Sequence, residues 1–570
     1  MEFSDIPGVF DLVQMAVNHG VRHAVISPGS RNAPLSITLH RHPEMETYVI
    51  PDERAAAFFA LGMARQLKAP VMICCTSGSA ALNYAPAIAE AFYQRVPLFV
   101  VTADRPAEWI DQGDGQTIRQ KNVYRNFIRG SFELIQDAEN EADRAQNRCT
   151  IESALNACSH PVPGPVHINV PLSEPLYNTR EYNSQEFPHS SPAGPTTANT
   201  DWLGFPEAIA KSHRIMILCG MSDPNEELND AINKLSHLPQ VVVLTETTSN
   251  LHGNLLFGTI DRLAFSIEDD DLAAFQPDVL LTVGHQIISK KIKALLRAAK
   301  PREHWHIDPD IQHPNTFQAL THSLRTSPSE AMQLLAQKLM PVDSSYSRWF
   351  RSLNKITGEA HREYMRSCPF SDMLATETLL QVIPEHIHFY QGNSATVRYV
   401  QLFTEGRPAF SSSNRGTSGI DGCTSTALGS AYISEKPTLL LTGDMAFLYD
   451  SNAFWHSHIP EHFKVMVLNN GGGGIFRIID GAKDETELER YFEAHHTHRA
   501  EQLAARYSLR YVAVHNYKDL QKTLPAWIDN DSGPSILEVF TPRHDNDRVL
   551  KQYFRKLKAA WLETKTVKHG

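Results

Sequence analysis

Short runs of consecutive apolar residues, each closed by small or polar ones, recur along the chain. They are HAVISPGS (23–30), PVMICCTSG (70–78), PLFVVTADRP (97–106), RIMILCG (214–220), VVVLTET (241–247), VLLTVG (279–284), HIHFYQGNS (386–394), PTLLLTGD (437–444), KVMVLNNGG (464–472) and SILEVF (535–540). Unbroken apolar runs of this length suit strands buried on both faces, the signature of a parallel sheet. Between them lie helical patterns such as DERAAAFFALGMARQL (52–67), SAALNYAPAIAEAF (79–92) and DMLATETLLQVI (372–383). The alternation predicts an α/β protein of stacked, doubly wound parallel-sheet domains.

Two stretches interrupt the rhythm. NTREYNSQEFPHSSPAGPTTANTD (178–201) is rich in Pro, Ser, Thr and Asn and reads as a linker. The second, around MPVDSSYS (340–347), leads into a charged helical stretch. They divide the chain into three domains, expected at 1–185, 200–345 and 360–570, and no short repeat suggests a solenoid instead. In such sheets ligands collect where strands end and helices begin, so the polar residues closing the apolar runs are the place to seek chemistry.

Composition narrows the class. With 42% hydrophobic and 21% charged residues the chain is ordinary globular protein, and 53 basic against 64 acidic residues leave a net charge of −11. That balance argues against a protein built to coat nucleic acid or an anionic membrane. No apolar run approaches the ~18–20 residues of a membrane span, and the acidic, amphipathic start MEFSDIPGVF lacks the pattern of a signal peptide. Seven cysteines without a CxxC pair, two of them adjacent at Cys74 and Cys75, fit a reducing compartment. The expectation is a large cytoplasmic enzyme.

The strongest chemical signal lies in the last domain. LLLTGD (439–444) delivers Asp444 at a strand end, and KVMVLNNGGGGIF (464–476) delivers Asn469 and Asn470 followed by four glycines. A carboxylate, an amide oxygen and free backbone carbonyls are hard ligands suited to Mg²⁺ (or Mn²⁺) that also holds phosphate oxygens. Glycines let the backbone approach an anion closely. Taken alone, the same residues also describe a helix-capping Asp and an Asn-Gly turn. The Asp444–Asn470 separation of 26 positions matches the GD…NN motif of thiamine diphosphate enzymes. Such an enzyme needs a carboxyl group against the cofactor's aminopyrimidine ring, to favour the tautomer that takes the thiazolium proton. Glu53, between YVIPD (48–52) and an apolar helix, fits this; alone it would be only a first-turn Glu favouring the helix dipole. His495, His496 and His498 have poor chelating spacing and read as solvated or pocket-rim residues rather than a zinc site.

A more specific resemblance joins these features. SPGSRNAPL (27–35), DERAAAFFALG (52–62), TSGSAALNYAPAIAEA (76–91), TADRP (102–106), QTIRQ (116–120), GNSATVR (392–398), NRGTSGIDG (414–422) and NNGGGGIF (469–476) together resemble one family. It is the 2-succinyl-5-enolpyruvyl-6-hydroxy-3-cyclohexene-1-carboxylate (SEPHCHC) synthase, or MenD, family of thiamine diphosphate enzymes. The motifs cover both terminal domains; the middle one matches only in general pattern.

The resemblance implies a pyrimidine-binding domain, a central α/β domain and a diphosphate-binding domain. The implied reaction, in menaquinone biosynthesis, decarboxylates 2-oxoglutarate on thiamine diphosphate and adds the succinyl carbanion equivalent to isochorismate. Its sites would lie between the first domain of one chain and the last of another. That requires at least a homodimer, and homotetramers are usual among relatives. Glu53 then corresponds to the cofactor-activating acid, and Asp444, Asn470 and the Gly472 carbonyl to the metal ligands. Ile420 resembles the wedge that bends the cofactor, and Ser394 a residue beside it. Ser30, Arg31, Arg105, Gln116, Ser394, Arg398 and Arg415 resemble substrate-pocket residues, Ile475 and Phe476 its apolar wall, and Lys290 a basic residue reaching isochorismate. Both substrates are dicarboxylates, and arginine binds carboxylates bidentately. Met445 and Gly471 stand where the broader superfamily often carries Gly and a third Asn.

Another 2-oxo acid decarboxylase or an acetolactate-type synthase would share GD…NN but not the SPGSR, ADRP and NRG cluster. A non-catalytic paralogue would be expected to lack Glu53 or Asp444.

Overall fold

The computed structural model describes residues 1–182, 202–310, 314–403, 408–478, 486–530 and 532–568. Three parallel sheets carry the fold. The first has six strands in the order Glu46–Val49, His23–Ile26, Val71–Cys75, Leu98–Asp104, Val166–Pro171, Ser131–Glu133. The second has five, Val241–Thr245, Ile215–Cys219, Val279–Val283, Glu303–Ile307, His322–Leu324. The third has six, Phe410–Ser412, His388–Gln391, Thr438–Gly443, Phe463–Asn469, Ser535–Phe540, Arg510–Val514. Every pairing within them is parallel. The α/β class of parallel-sheet domains expected from the sequence is the fold observed.

Two inner strands escape the apolar-run rule because they bury polar side chains. In Val166–Pro171, His167 and Asn169 are sealed from solvent and both bond Thr102 Oγ1 on the neighbouring strand, at 2.7 and 2.9 Å. In Glu303–Ile307, His304 and His306 share Thr282 Oγ1 in the same way, each at 2.9 Å. Satisfied hydrogen bonds allow these groups into the core. The stretch read as a linker also begins as structure. Thr179–Glu181 pairs antiparallel with Glu2–Ser4, and Tyr182 stacks on Phe10 with ring centroids 3.8 Å apart. Positions 183–201 lie outside the described residues.

The first and third sheets are joined through two helices. Glu53–Leu67, capped by Asp52 accepting from Ala55 N, crosses Cys423–Ser434 at small residues. A Cβ on Gly62 would lie 2.0 Å from Thr426 O, and one on Gly429 2.0 Å from Phe59 O, so backbone meets backbone. Tyr346–Met365 and Asn546–Lys568 bridge the second and third sheets. Tyr346, Phe350 and Trp561 enter the middle core, while Met365, Val549 and Tyr553 enter the last one. Among the described residues no helix is long and apolar enough to cross a membrane.

Candidate active site

The carboxyl ends of the third sheet converge on a cavity of about 370 Å³. Strand Thr438–Gly443 hands over Asp444, whose Oδ2 accepts from Gly471 N (2.8 Å) and Gly472 N (3.0 Å) and whose Oδ1 accepts from Met445 N (2.7 Å). Alternation at the end of Phe463–Asn469 separates the two asparagines. Asn469 turns to the sheet and bonds Glu538 at 2.6 Å, whereas Asn470 lines the cavity with its Nδ2 bonded to Asp372 Oδ2 at 2.8 Å. Among the described residues nothing donates to Asn470 Oδ1, which leaves that oxygen for a ligand.

The glycines have steric reasons. Gly471 and Gly472 have φ of 80° and 151°, and a Cβ on Gly472 would lie 2.7 Å from Glu493 O. That carbonyl also receives Gly473 N. Glu493 is itself clamped by Arg477 and Arg543. Burial pushes its carboxyl up, but these two partners outweigh burial and hold it below the usual range. The histidine segment folds over the same loop. His495 Nδ1 and His496 N meet Gly471 O at 2.9 and 3.1 Å, and His496 Nε2 lies 3.4 Å from Asp444 Oδ2. Among the described residues no group of three or more His, Cys, Asp and Glu side chains is disposed to hold a metal by itself.

Ser394, Ile420, Ile475 and Phe476 line this cavity, and Ile475 also lines a second one of about 520 Å³ with Arg398, Lys290 and Asp261. The Arg398 guanidinium donates to Ser394 O, and Arg415 Nη1 to Asn393 Oδ1 at 2.8 Å. Lys290 opens helix Lys290–Ala299, whose cap Ser289 is held through its N–H by Glu246 at 2.8 Å. Burial pushes the Glu246 carboxyl up to about 7 despite the Ile288 and Ser289 N–H groups it accepts from.

The other expected residues stand at the carboxyl ends of the first sheet and line neither cavity. Arg31 is 4% exposed, with Nη1 on Leu172 O at 2.8 Å and Nη2 on Glu174 at 3.2 Å. Arg105 lies 3.7 Å from Asp114. Ser30 and Gln116 are exposed. Glu53 heads its helix half-buried, accepting from Asn83 Nδ2 at 3.3 Å. Buried Nε atoms of Arg31, Arg105 and Arg415 have no hydrogen-bond acceptor among the described residues.

Several contributing residues carried no signal in the sequence. Glu90, in an apolar helix of the first domain, accepts from Gly416 N (2.7 Å), Thr417 N and Thr417 Oγ1 (2.6 Å each), and so fixes the NRGTSGIDG loop of the last. Asp372, Glu246 and Glu493 are likewise acids distant in sequence from the motifs they support. Asn393, which holds Arg415, was inside the quoted GNS motif without a role of its own.

Comparison with known proteins agrees with this layout. Residues 8–123 match the family model for the thiamine pyrophosphate enzyme N-terminal TPP binding domain, and 392–539 the C-terminal TPP binding domain. The chain is 43% identical to a 2-succinyl-5-enolpyruvyl-6-hydroxy-3-cyclohexene-1-carboxylate synthase of Flavobacterium psychrophilum, over 98% of this chain and 100% of that one. It is 41% identical to the same-named protein of Christiangramia forsetii, over 98% and 100%. With that of Porphyromonas gingivalis the identity is 39%, over 97% of each chain.

Proposed function

The chain belongs to the 2-succinyl-5-enolpyruvyl-6-hydroxy-3-cyclohexene-1-carboxylate synthase family of thiamine diphosphate enzymes, and from that premise we propose its reaction. It releases CO₂ from 2-oxoglutarate and adds the remaining succinyl unit to the ring of isochorismate, a conjugate addition, in menaquinone biosynthesis. The observation that carries this reading is the pair of cavities meeting at Ile475. One is shaped around Asp444, Asn470 and Gly472, and the other is walled by Arg398 and Lys290.

The residues present fit a diphosphate held through Mg²⁺ or Mn²⁺. Asn470 keeps an oxygen free, and the Gly472 backbone sits where no side chain would fit. In this reading Asp444, Asn470 Oδ1 and the Gly472 carbonyl would hold the cation, and Ile420 would pack against the cofactor. Bound there, thiamine diphosphate would supply the electron sink that lets the 2-oxo acid lose CO₂ and react as a carbon nucleophile. Arg31, Arg105, Arg398 and Arg415, with Lys290, Ser30, Gln116 and Ser394, bind and orient the carboxylates and hydroxyls of the two substrates. Bidentate guanidinium contacts fix direction as well as charge. Ile475 and Phe476 keep water from the reacting carbon. Glu53 would hydrogen-bond the aminopyrimidine nitrogen. Because Glu53 and the first-domain arginines line neither cavity in one chain, a second chain supplies them. The working unit is then a homodimer at least, with a homotetramer expected, acting in the cytoplasm.

Purified protein given thiamine diphosphate, Mg²⁺, 2-oxoglutarate and isochorismate should consume isochorismate and form the adduct with one CO₂ released per adduct. Turnover of pyruvate that is indifferent to isochorismate would instead place the chain among the 2-oxo acid decarboxylases or acetolactate-type synthases.

A further inference from the structure

We propose that Asp372 is a positioning residue that sets which end of the Asn470 side chain faces the cation. The inference rests on the reading above, in which Asn470 Oδ1 is a metal ligand.

A carboxamide has two ends of opposite character. Its oxygen accepts, whereas its NH₂ group donates two hydrogens and would repel a cation. Asn470 precedes glycines, and the side chain of Asn469 before it is committed to Glu538 and Gly471 N, so neither chain neighbour chooses between the two orientations. The choice comes from Asp372, which lies 98 positions away and whose Oδ2 accepts from Asn470 Nδ2 at 2.8 Å. Asp372 presents both oxygens as acceptors, Oδ1 to Thr541 and Oδ2 to Asn470, so it pairs with the NH₂ end and leaves Asn470 Oδ1 for the cavity that Asp444 and Gly472 also line.

Asp372 is itself held. It is 3% exposed, its Oδ1 accepts from Thr541 Oγ1 at 2.5 Å, and its backbone N donates to Asn546 Oδ1 at 2.8 Å. The alternative, that Asp372 merely caps helix Asp372–Val382, is met by its neighbour. Ser371 is the cap, with Oγ accepting from Leu374 N at 3.3 Å. A buried acid that does not cap its helix, with both oxygens accepting from side chains on other segments, is built to orient something. Partners that orient metal ligands typically alter metal affinity about 10- to 100-fold when removed.

The test measures Mn²⁺ binding directly, by the loss of the free-ion electron paramagnetic resonance signal, in full-length protein saturated with thiamine diphosphate. Asp372→Ala should weaken Mn²⁺ binding about 10- to 100-fold, with turnover recovering as Mn²⁺ is raised. Asp372→Asn keeps an acceptor for Asn470 Nδ2 while its own NH₂ can donate to Thr541, so it should stay within about threefold of wild type. Thr541→Val is nearly isosteric and frees the other Asp372 oxygen, so it gives a second reading if Asp372→Ala does not fold, and a measurable weakening is expected. Wild-type Mn²⁺ affinity in Asp372→Ala, or in Thr541→Val should the first not fold, overturns the proposal. So does an equal loss in Asp372→Asn and Asp372→Ala, which would mean a purely electrostatic or structural role. Asn470→Ala separates this inference from the reading beneath it. If that change leaves Mn²⁺ affinity intact, the ligand assignment itself is wrong; if it weakens binding while Asp372→Ala does not, only the orienting role falls.

Discussion

Adjacent asparagines at the end of one strand do different work, and neighbouring chain segments decide which. Asn469 is tied to Glu538 across the sheet and Asn470 to Asp372 across the cavity. The GD…NN spacing made the pair visible in the sequence, because strand alternation fixes it locally. The acids that orient the pair were not visible, since each reaches it only through folding. Glu53 shows the same limit from the other side. Its place at a helix start was legible, yet in one chain its carboxylate meets only Asn83 among the described side-chain hydrogen bonds. Its assigned role makes a definite demand. Glu53→Gln preserves the helix start and should leave Mn²⁺ binding within about twofold. It should slow hydrogen–deuterium exchange at the thiazolium carbon of bound thiamine diphosphate by at least ~100-fold, the lower end of general acid–base effects. Quenched-flow NMR reads this directly. Wild-type exchange in that variant would remove Glu53 from the mechanism.

At the scale of elements, the functional groups gather at carboxyl ends of parallel strands, and the apolar runs located most of those strands. The exceptions have physical causes. Val166–Pro171 and Glu303–Ile307 carry buried His and Asn whose bonds to Thr102 and Thr282 make them acceptable inside, which no periodicity reveals. Three-residue edge strands such as Ser131–Glu133, His322–Leu324 and Phe410–Ser412 are too short to show a pattern. The crossing of Glu53–Leu67 with Cys423–Ser434 was also hidden, because a helical glycine reads as a weakness until its partner is known. Here Gly62 and Gly429 permit contact that any side chain would block. Gly429→Ala would put a methyl 2.0 Å from Phe59 O. It should therefore destabilise the protein as overpacked cores do, by about 1–3 kcal/mol or more, and lower the thermal unfolding midpoint. An unchanged midpoint would show that the two helices are not held in this register.

For the whole molecule, a net charge of −11 says little about the interior, where Arg31 and Arg415 are buried with Nε atoms lacking an acceptor among the described residues. The chain divides these cations between two places. Arg398, beside Lys290, lines a cavity that adjoins the Asp444 loop, while Arg31 and Arg105 stand with Glu53 on the first sheet and line neither cavity. In the proposed reading a symmetric pair of chains resolves this split, each completing the other's site. The most direct test of that account mixes two separately inactive variants, Glu53→Gln and Asp444→Ala, under conditions that exchange subunits, and follows isochorismate-dependent CO₂ release from 2-oxoglutarate. In a mixed dimer one site combines an intact Glu53 with an intact Asp444. Random pairing should then restore about one quarter of wild-type activity. A mixture that exchanges subunits yet stays as inactive as its parents would mean that Glu53 and Asp444 serve the same chain's site, contradicting the shared-site account.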